Sequence, residues 1–372
     1  MASKKKKGNK GLRTAIFIAI EAVALCALIV VLYFVFRTTD DETGVQKYDI
    51  NKEDIITTVD TDPVLNQYFG QVDEDYTTLA FFGVDARNGM LVKSTRTDTI
   101  ILCSINNATG DVRLCSVYRD TYLNIDPSKE NGSYSKCNAA YAYGGPQQAM
   151  SMLNSNLDLN ISKYVTIGFD GVQKAVDAVG GVDIDIQQNE IQYLNDYQRS
   201  MYSTETTTIL TDDFVPVTET GMQTLSGYQA LAYCRIRYTA GNDFKRTERQ
   251  RNVVTQIVNK AKRLDVNALT KICTDVAPLV STNLDLNDEI IPMATQVTKY
   301  NILDSSGFPF SDKITTGMIG SKGDCVIPLD LEANVIQLHQ FLYPGIEYVP
   351  SETVKNTSER IKSDTSPYIG QK

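Results

Sequence analysis

The sequence is poor in residues that commonly carry catalysis, with one histidine and no tryptophan. The histidine, His339, lies in VIQLHQFLY, a pattern typical of a helix face. A histidine-based triad and a histidine-ligated metal are therefore both disfavoured. No C-x-x-C, G-x-S-x-G or P-loop pattern occurs, which argues against a zinc site, a serine hydrolase and a nucleotide-binding loop. Any chemistry must come from carboxylates and arginines, with or without a metal.

Positive charge is scarce after the first thirteen residues. The formal net charge is −9, and setting aside the six cations of MASKKKKGNKGLR lowers it to −15 for the remainder. We expect no nucleic-acid partner for so acidic a chain, because phosphate contacts need broad positive charge. A local arginine cluster in this setting indicates a specific anion site.

One long apolar run is present, TAIFIAIEAVALCALIVVLYFVF at residues 14–36. Its 23 residues are enough to cross a bilayer, and no A-x-A cleavage site follows it. The basic flank should remain in the cytoplasm. We therefore expect a cytoplasmic tail (1–13), a single transmembrane helix (14–36) in the cell membrane, and an extracellular C-terminal domain.

The chain after the apolar run divides into segments of different composition and hydrophobic pattern. Residues 37–76 are polar and acidic, which predicts an extracellular stalk with a short helical element. From Thr77, TDTIILCSIN and DVRLCSVYRD alternate like paired strands, and strands then alternate with helices. This order predicts a single α/β domain at 77–343, with a mixed central sheet flanked by helices. Residues 344–372 read as a polar, frayed C-terminal tail.

Six of the seven cysteines follow the apolar run, an even number that permits disulfides in an exported domain. Cys103 and Cys115 sit on two apolar runs joined by NNATGD, where they could face each other across a hairpin. Buried free thiols are the alternative.

Two aspartates lie at the ends of predicted strands. Asp85 closes FFGVD and Asp98 opens RTDTI, so a returning chain could place their carboxylates side by side. Two carboxylates with open positions suit Mg²⁺, although turn and capping roles explain many loop aspartates. Arg87 and Arg96 lie beside them, as expected around a polyanion.

A second group follows the third predicted strand. Arg119 and Asp120 end that strand, and Lys136 and Asn138 come one loop later. Open α/β sheets bind ligands at the carboxyl ends of their strands. These side chains are therefore expected at the same edge.

The arginine cluster itself is YCRIRYTAGNDFKRTERQRN, residues 233–252. If YCRIRY is a strand, Arg235 and Arg237 point to one face. In the helix that follows, Arg246, Arg249 and Gln250 share a face. Planar guanidinium groups suit bidentate phosphate contacts.

A solvated helix face is the alternative for this cluster, with Asp243 and Glu248 pairing the arginines. Lys245 and Arg251 lie on other faces and are predicted to be solvent-side charges, while Arg249 is left open.

A different motif, the D-x-D of VDIDI, is typical of glycosyltransferases that hold a metal and a nucleotide sugar. However, the alternation of this strand places Asp183 and Asp185 together on one face of an edge strand, which is commonly the solvent face.

Seven blocks occur in one order between residues 77 and 343: FFGVDAR, TRTDTIIL, SVYRDTYLNI, SKCNAAYAYGG, GFDGVQKAVDAVGGVDI, TGMQTLSGYQALAYCRIRY and NDFKRTERQ. In this order they resemble the LytR-CpsA-Psr family of bacterial cell-envelope proteins. The resemblance implies a phosphotransferase at the outer face of the membrane that depends on Mg²⁺, or alternatively Mn²⁺.

The resemblance also implies the substrates. Members of that family move a glycopolymer, such as wall teichoic acid or capsular polysaccharide, from an undecaprenyl-pyrophosphate carrier to a peptidoglycan sugar hydroxyl. A polyprenyl pyrophosphate phosphatase side activity is implied as well. The alternative is a non-catalytic polyprenyl-phosphate-binding or regulatory envelope protein, although no helix-turn-helix pattern supports direct DNA binding.

Carried over to this sequence, the resemblance assigns the metal to Asp85 and Asp98. From the residues themselves we expect Asp98, Arg119 and Asp120 to take part in catalysis. With no histidine available, Asp98 or Asp120 is left to accept the proton. The pyrophosphate-binding positions are Arg87, Arg96, Arg119, Lys136, Asn138, Arg235, Arg237, Arg246 and Gln250. Two positions depart from the family pattern: Tyr118 replaces a usual proline, and Cys137 replaces a usual aliphatic residue.

Overall fold

The computed structural model describes residues 48, 50–59, 61–85, 95–201, 213–237, 242–265, 268, 276, 279–284 and 300–369. The predicted cytoplasmic tail and membrane helix lie outside these residues, as does Arg87. Within the part of the chain that the structure describes, no helix is both long and apolar enough to cross a membrane.

A mixed six-stranded sheet lies at the centre, in the order β10-β3-β2-β1-β6-β9. Its strands are β1 (Tyr76–Val84), β2 (Thr97–Asn106), β3 (Asp111–Val117), β6 (Tyr164–Ile167), β9 (Val280–Thr282) and β10 (Asn301–Phe308). Strand β2 runs antiparallel to both β1 and β3, whereas β1 is parallel to β6 and β3 is parallel to β10. The predicted α/β class, mixed sheet and pairing of the second and third strands are confirmed.

Three two-stranded ribbons surround the sheet. They pair β4 (Tyr122–Asn124) with β5 (Tyr134–Lys136), β7 (Val182–Ile186) with β8 (Gly221–Leu225), and β11 (Ile314–Met318) with β12 (Asp324–Pro328). The helices in the described residues are α1 (Pro63–Asp75), α2 (Ala139–Leu157), α3 (Phe169–Ala178), α4 (Ile191–Ser200), α5 (Gly227–Arg235), α6 (Asn242–Ala261), α7 (Leu331–Leu342) and α8 (Glu352–Thr365). Short 3-10 turns lie at Lys52–Asp54, Gly320–Lys322 and Ser366–Tyr368.

Apolar side chains of the central strands are buried on both faces of the sheet. Phe82, Ile100 and Leu102 belong to the main core, which is completed by residues of α1, α2, α7 and α8. Leu79 and Ile101, one residue out of step, belong to a smaller cluster on the opposite face. Successive side chains of a strand point to opposite faces, so the period of two seen in the sequence produces this layering.

A separate apolar cluster, formed around β7, β8, α4 and α5, supports the arginine-rich segment. The prediction that YCRIRY is a strand was wrong, because helix α5 continues to Arg235. Ser226 and Gln229 form a capping box that starts this helix, and residues 227–234 are all buried. The capping box and the burial of residues 227–234 stabilise the helix, although its last residues alternate like a strand.

Both ends of the described chain pack into the main core. The helical element expected within the stalk is α1, whose Leu65, Phe69 and Val72 are buried there. The prediction of a frayed C-terminal tail was wrong, because α8 buries Val354 and Ile361 in the same core. An apolar residue every seven positions on an otherwise polar helix is enough to dock it, and this sparse pattern hid the helix in the sequence.

Asp158 ties these ends together from the C-terminal end of α2. Its buried carboxylate accepts hydrogen bonds from the hydroxyl groups of Thr58 (2.9 Å), Tyr348 (2.7 Å) and Ser351 (2.7 Å), and from the Ser351 N–H (2.8 Å). Its backbone is left-handed, with φ 47°. An aspartate serves here because short polar side chains tolerate that conformation.

Replacing Asp158 with alanine is expected to lower the free energy of unfolding by about 3 kcal/mol, because several buried donors lose their acceptor. Urea denaturation measures the change. Asp158→Asn keeps the shape and one acceptor and should cost less. Asp312→Ala is the control. It removes an exposed aspartate paired with Lys313 and should change the free energy of unfolding little. Equal stability of the Asp158→Ala variant and the wild type would refute this role.

The described cysteines are free and buried: Cys103, Cys115, Cys137, Cys234 and Cys325. In the β2–β3 register Cys103 pairs with Leu114 and Cys115 pairs with Leu102. The two cysteines are therefore offset by one residue and face opposite sides of the sheet, which excludes the proposed cross-hairpin disulfide. The free-thiol alternative is the correct one for these five residues.

Candidate functional site

Asp98 lies at a β-bulge at the start of β2. The ladder pairs Gly83 with Thr99 and Val84 with Thr97, so Asp98 has no partner on β1. A bulge of this kind redirects the side chain of the extra residue. The Asp98 side chain consequently does not follow the alternation of side chains along β2. Its carboxylate lies at the centre of a polar cluster.

Three arginines from distant segments converge on Asp98. The Arg119 Nη1 atom lies 2.5 Å from Asp98 Oδ1, and the Arg237 Nη2 atom lies 3.7 Å from Asp98 Oδ2. Arg246 is 1% exposed, donates from Nη2 to the Asp98 carbonyl (3.0 Å), and places Nη1 4.0 Å from Oδ1. We call Arg119, Arg237 and Arg246 the arginine cluster. The converging charges indicate a site that holds an anion.

Burial alone would raise the pKa of Asp98. The positive charges of Arg246, Arg119 and Arg237, with the hydrogen bond from Arg119, outweigh burial and hold the pKa below its usual value. Asp98 is therefore an anion at physiological pH, as an orienting group or a metal ligand must be.

Asp120 and Lys136 extend the cluster. Asp120 lies between two cations, with Oδ2 3.4 Å from Arg119 Nε and Oδ1 3.1 Å from Lys136 Nζ. The four cations Arg119, Lys136, Arg237 and Arg246 thus surround two carboxylates, Asp98 and Asp120. The group carries a net charge of about +2 when all six are ionised, which favours a ligand with more than one negative charge.

Backbone hydrogen bonds fix the turn that carries Arg119 and Asp120. The Asn138 N–H donates to the Arg119 carbonyl (3.1 Å), and the Val326 N–H donates to the Asp120 carbonyl (2.9 Å). The Cys137 thiol lies 3.2 Å from the Tyr118 carbonyl. The turn is thereby held from the segment after β5 and from strand β12, which prepositions both side chains.

Tyr118, which departs from the family pattern, fits this arrangement. Its N–H donates to the Phe308 carbonyl (2.9 Å), a bond that a proline could not make. Its ring packs edge-on against Phe244, with centroids 4.6 Å apart. The tyrosine therefore joins β3 to β10 and α6 immediately behind Arg119.

The other predicted residues occupy the surroundings of the cluster. Asp85 and Arg96 are exposed beside the bulge. The Arg235 guanidinium lies over the rings of Phe169 (5.0 Å) and Tyr197 (5.5 Å), away from the Asp98 ion pairs. Asn138 Oδ1 and Gln250 Oε1 are buried and have no hydrogen-bond partner within the described part of the chain. These orphaned oxygens are available to a ligand.

On α6, Arg251 differs from the sequence expectation, and Arg249, which the sequence left open, has a buried partner. The prediction that Arg251 is a solvent-side charge was wrong, since it is 7% exposed. Helix α6 contacts β3, β7 and β10, so more than one of its faces is covered. Arg249 faces Glu190 at 2.8 Å, a partner that sequence reasoning missed. Lys245 is exposed as predicted and pairs with Glu248 (2.8 Å).

The carboxylates of Asp85 and Asp98 are the type of donor that suits a hard divalent cation. They leave adjacent strand ends, since Val84 pairs with Thr97, and carboxylate oxygens are ligands that Mg²⁺ prefers. Thr97 Oγ1, next to Asp98, is buried and has no hydrogen-bond partner among the described residues. The residues that the structure describes contain no cluster of three or more histidine, cysteine or acidic side chains.

The D-x-D strand is occupied by structural contacts. Asp183 pairs with Lys260 (2.8 Å) and accepts a hydrogen bond from Thr224 (2.6 Å) on β8, while Asp185 is exposed. Both lie on the solvent side of β7, as strand alternation predicts.

Comparison with known proteins extends these observations. Protein gbs0355 from Streptococcus agalactiae, a solved structure, shares the fold with a TM-score of 0.59 at 24% identity, covering 77% of this chain and 93% of that one. Biofilm regulatory protein A of Streptococcus mutans is 34% identical over 52% of this chain and 46% of its own length.

A second relative carries an enzyme name. The polyisoprenyl-teichoic acid–peptidoglycan teichoic acid transferase TagU of Enterococcus faecalis is 33% identical over 57% of this chain and 62% of its own length. The chain thus spans about half to three fifths of the length of these two relatives. The model of the LytR_cpsA_psr family matches residues 32–322, more than three quarters of the sequence. The protein belongs to the LytR-CpsA-Psr family.

Proposed function

We propose that the protein is a phosphotransferase that moves a glycopolymer from a polyprenyl pyrophosphate carrier to a sugar hydroxyl of peptidoglycan. The observation that carries the proposal is the convergence of four cations on two carboxylates within an acidic chain. A pyrophosphate diester is the kind of anion that such a group suits. The enzyme name of the Enterococcus faecalis relative supports the same reaction.

In this proposal the arginine cluster binds the pyrophosphate. Arg119 and Arg237 approach Asp98 from its two oxygens and Arg246 from its carbonyl, which gathers three guanidinium groups around one point. Phosphoryl transfer needs positioning and charge stabilisation more than covalent chemistry by the protein. Asn138, Gln250, Arg96 and Arg235 are assigned to outer parts of the head group, and Arg87 is assigned from the sequence alone.

The acceptor hydroxyl attacks the phosphorus attached to the glycopolymer. A new O–P bond forms, the bond to the bridging oxygen breaks, and polyprenyl monophosphate leaves. Asp98 is a weak base because its pKa is lowered, so it orients the arginines. Asp120, held by Lys136 and Arg119, is assigned as the group that takes the proton.

Asp85 and Asp98 are proposed to hold Mg²⁺, with Mn²⁺ as a substitute. When bound, the ion would polarise phosphate oxygens and offset their charge. The basic tail (1–13) is proposed to remain in the cytoplasm, with residues 14–36 as the membrane anchor and the domain outside the cell.

The test uses the full-length protein in detergent with geranylgeranyl pyrophosphate as the probe. We expect release of inorganic phosphate that requires Mg²⁺, stops with EDTA and resumes when Mg²⁺ or Mn²⁺ is restored. Binding of the probe without release would favour a non-catalytic carrier-binding protein, as the regulatory name of the Streptococcus mutans relative would suggest. Absence of both binding and release would overturn the proposal.

A further inference from the structure

A buried ion pair lies outside the arginine cluster. Glu190 and Arg249 are 6% exposed each, and Arg249 Nε lies 2.8 Å from Glu190 Oε1. Neither residue contributes to the Asp98 ion pairs described above. A buried pair of this kind adds little to stability compared with apolar packing, which raises the question of what else it does.

Arg249 fixes the chain between two arginines. Its Nη1 atom donates to the Ile236 carbonyl (3.1 Å), and its guanidinium lies over the ring of Tyr233, 5.7 Å from the centroid. Ile236 separates Arg235 from Arg237. Arg249 therefore anchors the backbone at the point where α5 ends and Arg237 turns toward Asp98.

Glu190, the other member of the ion pair, anchors the turn between β7 and α4. Its Oε2 atom accepts the Gln187 N–H (3.0 Å), which closes the turn between β7 and α4. Helix α4 carries Tyr197, whose ring lies 5.5 Å from the Arg235 guanidinium carbon. The carboxylate thus joins the turn that starts α4 to the helix α6 that carries Arg249.

Helix α6 also carries Arg246, one turn before Arg249. The pair consequently holds together the end of α5, with Arg237, and the start of α6, with Arg246. We infer that Glu190 is a positioning residue, which acts through Arg249 to set the spacing between Arg237 and Arg246 around the bound pyrophosphate. This inference rests on the proposed function of the arginine cluster.

The guanidinium suits this role because it is planar and rigid. It bonds the Glu190 carboxylate and the Ile236 carbonyl at the same time, which a lysine ammonium on a flexible stem does not reproduce. Misplacement of a binding group by about 1 Å can lower catalysis by about 10²-fold. The spacing of Arg237 and Arg246 is therefore expected to affect phosphate binding and turnover.

The test compares Glu190→Gln and Arg249→Lys with Glu248→Gln in the full-length protein. Glu248 is the matched control, because it pairs with Lys245 on the same helix at the same 2.8 Å but is exposed. Four quantities are measured. The first three are kcat and KM for phosphate release from geranylgeranyl pyrophosphate and Kd for inorganic pyrophosphate by calorimetry, all well below the melting temperature of every variant, and the fourth is Tm.

We expect Glu190→Gln and Arg249→Lys to lower kcat/KM by about 10²-fold and to weaken pyrophosphate binding by about tenfold. Glu248→Gln should stay within about twofold of the wild type in both. A folded Glu190→Gln variant with wild-type binding and kcat/KM would overturn the inference, whatever its Tm. If Glu190→Gln does not fold, Arg249→Lys, which retains both charges, decides by the same two measurements.

Failure of the proposed function and failure of this inference give different results in these measurements. A wild-type protein that neither binds pyrophosphate nor releases phosphate would remove the proposed function and this inference with it. A wild-type protein that binds pyrophosphate without turnover would remove the catalytic proposal alone, and calorimetry of the variants would still decide whether Glu190 positions the arginines.

Discussion

Replacement of Arg119 with alanine is expected to lower the rate of phosphoryl transfer by about 10³-fold while leaving the fold intact. Arg119 lies 2.5 Å from Asp98 and 3.4 Å from Asp120, so it joins both carboxylates of the site. It is also proposed to stabilise negative charge as polyprenyl monophosphate leaves. Its side chain is 18% exposed, so the space left by truncation can be filled by water. Phosphate release from geranylgeranyl pyrophosphate measures the effect.

Arg113 offers a matched control for this variant. It lies on β3, six residues before Arg119 and about 20 Å away along an extended chain. Arg113→Ala should retain wild-type activity, and both variants should keep their circular dichroism spectrum and Tm within a few degrees. Wild-type kcat in the Arg119→Ala variant would remove Arg119 from the proposed mechanism.

Asp98→Asn should have a comparable or larger effect, with loss of transfer by about 10³-fold or more. The amide keeps the shape of the side chain but cannot balance three arginines, and it is a poor ligand for Mg²⁺. We therefore expect the Mg²⁺ concentration needed for half-maximal activity to rise as the rate falls. Titration of phosphate release with Mg²⁺ separates the two effects.

Asp183→Asn is the control for Asp98→Asn. Asp183 also pairs with a cation, Lys260, but lies on the D-x-D strand. It should retain full activity with geranylgeranyl pyrophosphate. Turnover of a nucleotide sugar that is lost in Asp183→Asn would instead favour the glycosyltransferase interpretation.

The same Asp98 variant should change the response to acid. Because the pKa of Asp98 is lower in the folded protein than in the unfolded chain, its ionised form stabilises the fold above the ordinary value of about 3.9. That contribution is lost as the pH falls from about 4 toward the folded pKa. The difference in Tm between the wild type and Asp98→Asn should therefore shrink below about pH 4.

Local sequence patterns were sufficient to predict much of this architecture. The alternation of TDTIILCSIN and DVRLCSVYRD predicted the β2–β3 pair. Asp98 and Arg119 were predicted at strand ends and Arg246 on the helix after YCRIRY, and these three residues do converge. These features depend on periodicity and on the geometry of sheet edges, which the sequence carries directly.

Other features depend on long-range packing that no local pattern reveals. The bulge at Asp98 arises from register with β1, and the helix that ends at Arg235 is favoured by burial among β7, β8 and α4. The Glu190–Arg249 pair joins residues 59 positions apart. A signal for the helix was present in the Ser226-x-x-Gln229 capping box, whereas no local signal marked Glu190 as the partner of Arg249.

The Asp158 junction has a consequence for how the protein is made. Asp158 and Ser351 are separated by 193 residues, and ribosomes add about 5–20 residues per second, so Asp158 waits roughly 10 to 40 s for its last partners. During that time the core surface that α8 will cover is open, and α1 and α2 lack part of their support. Folding of this domain is therefore completed only after Ser351 and the helix α8 that follows it have been synthesised.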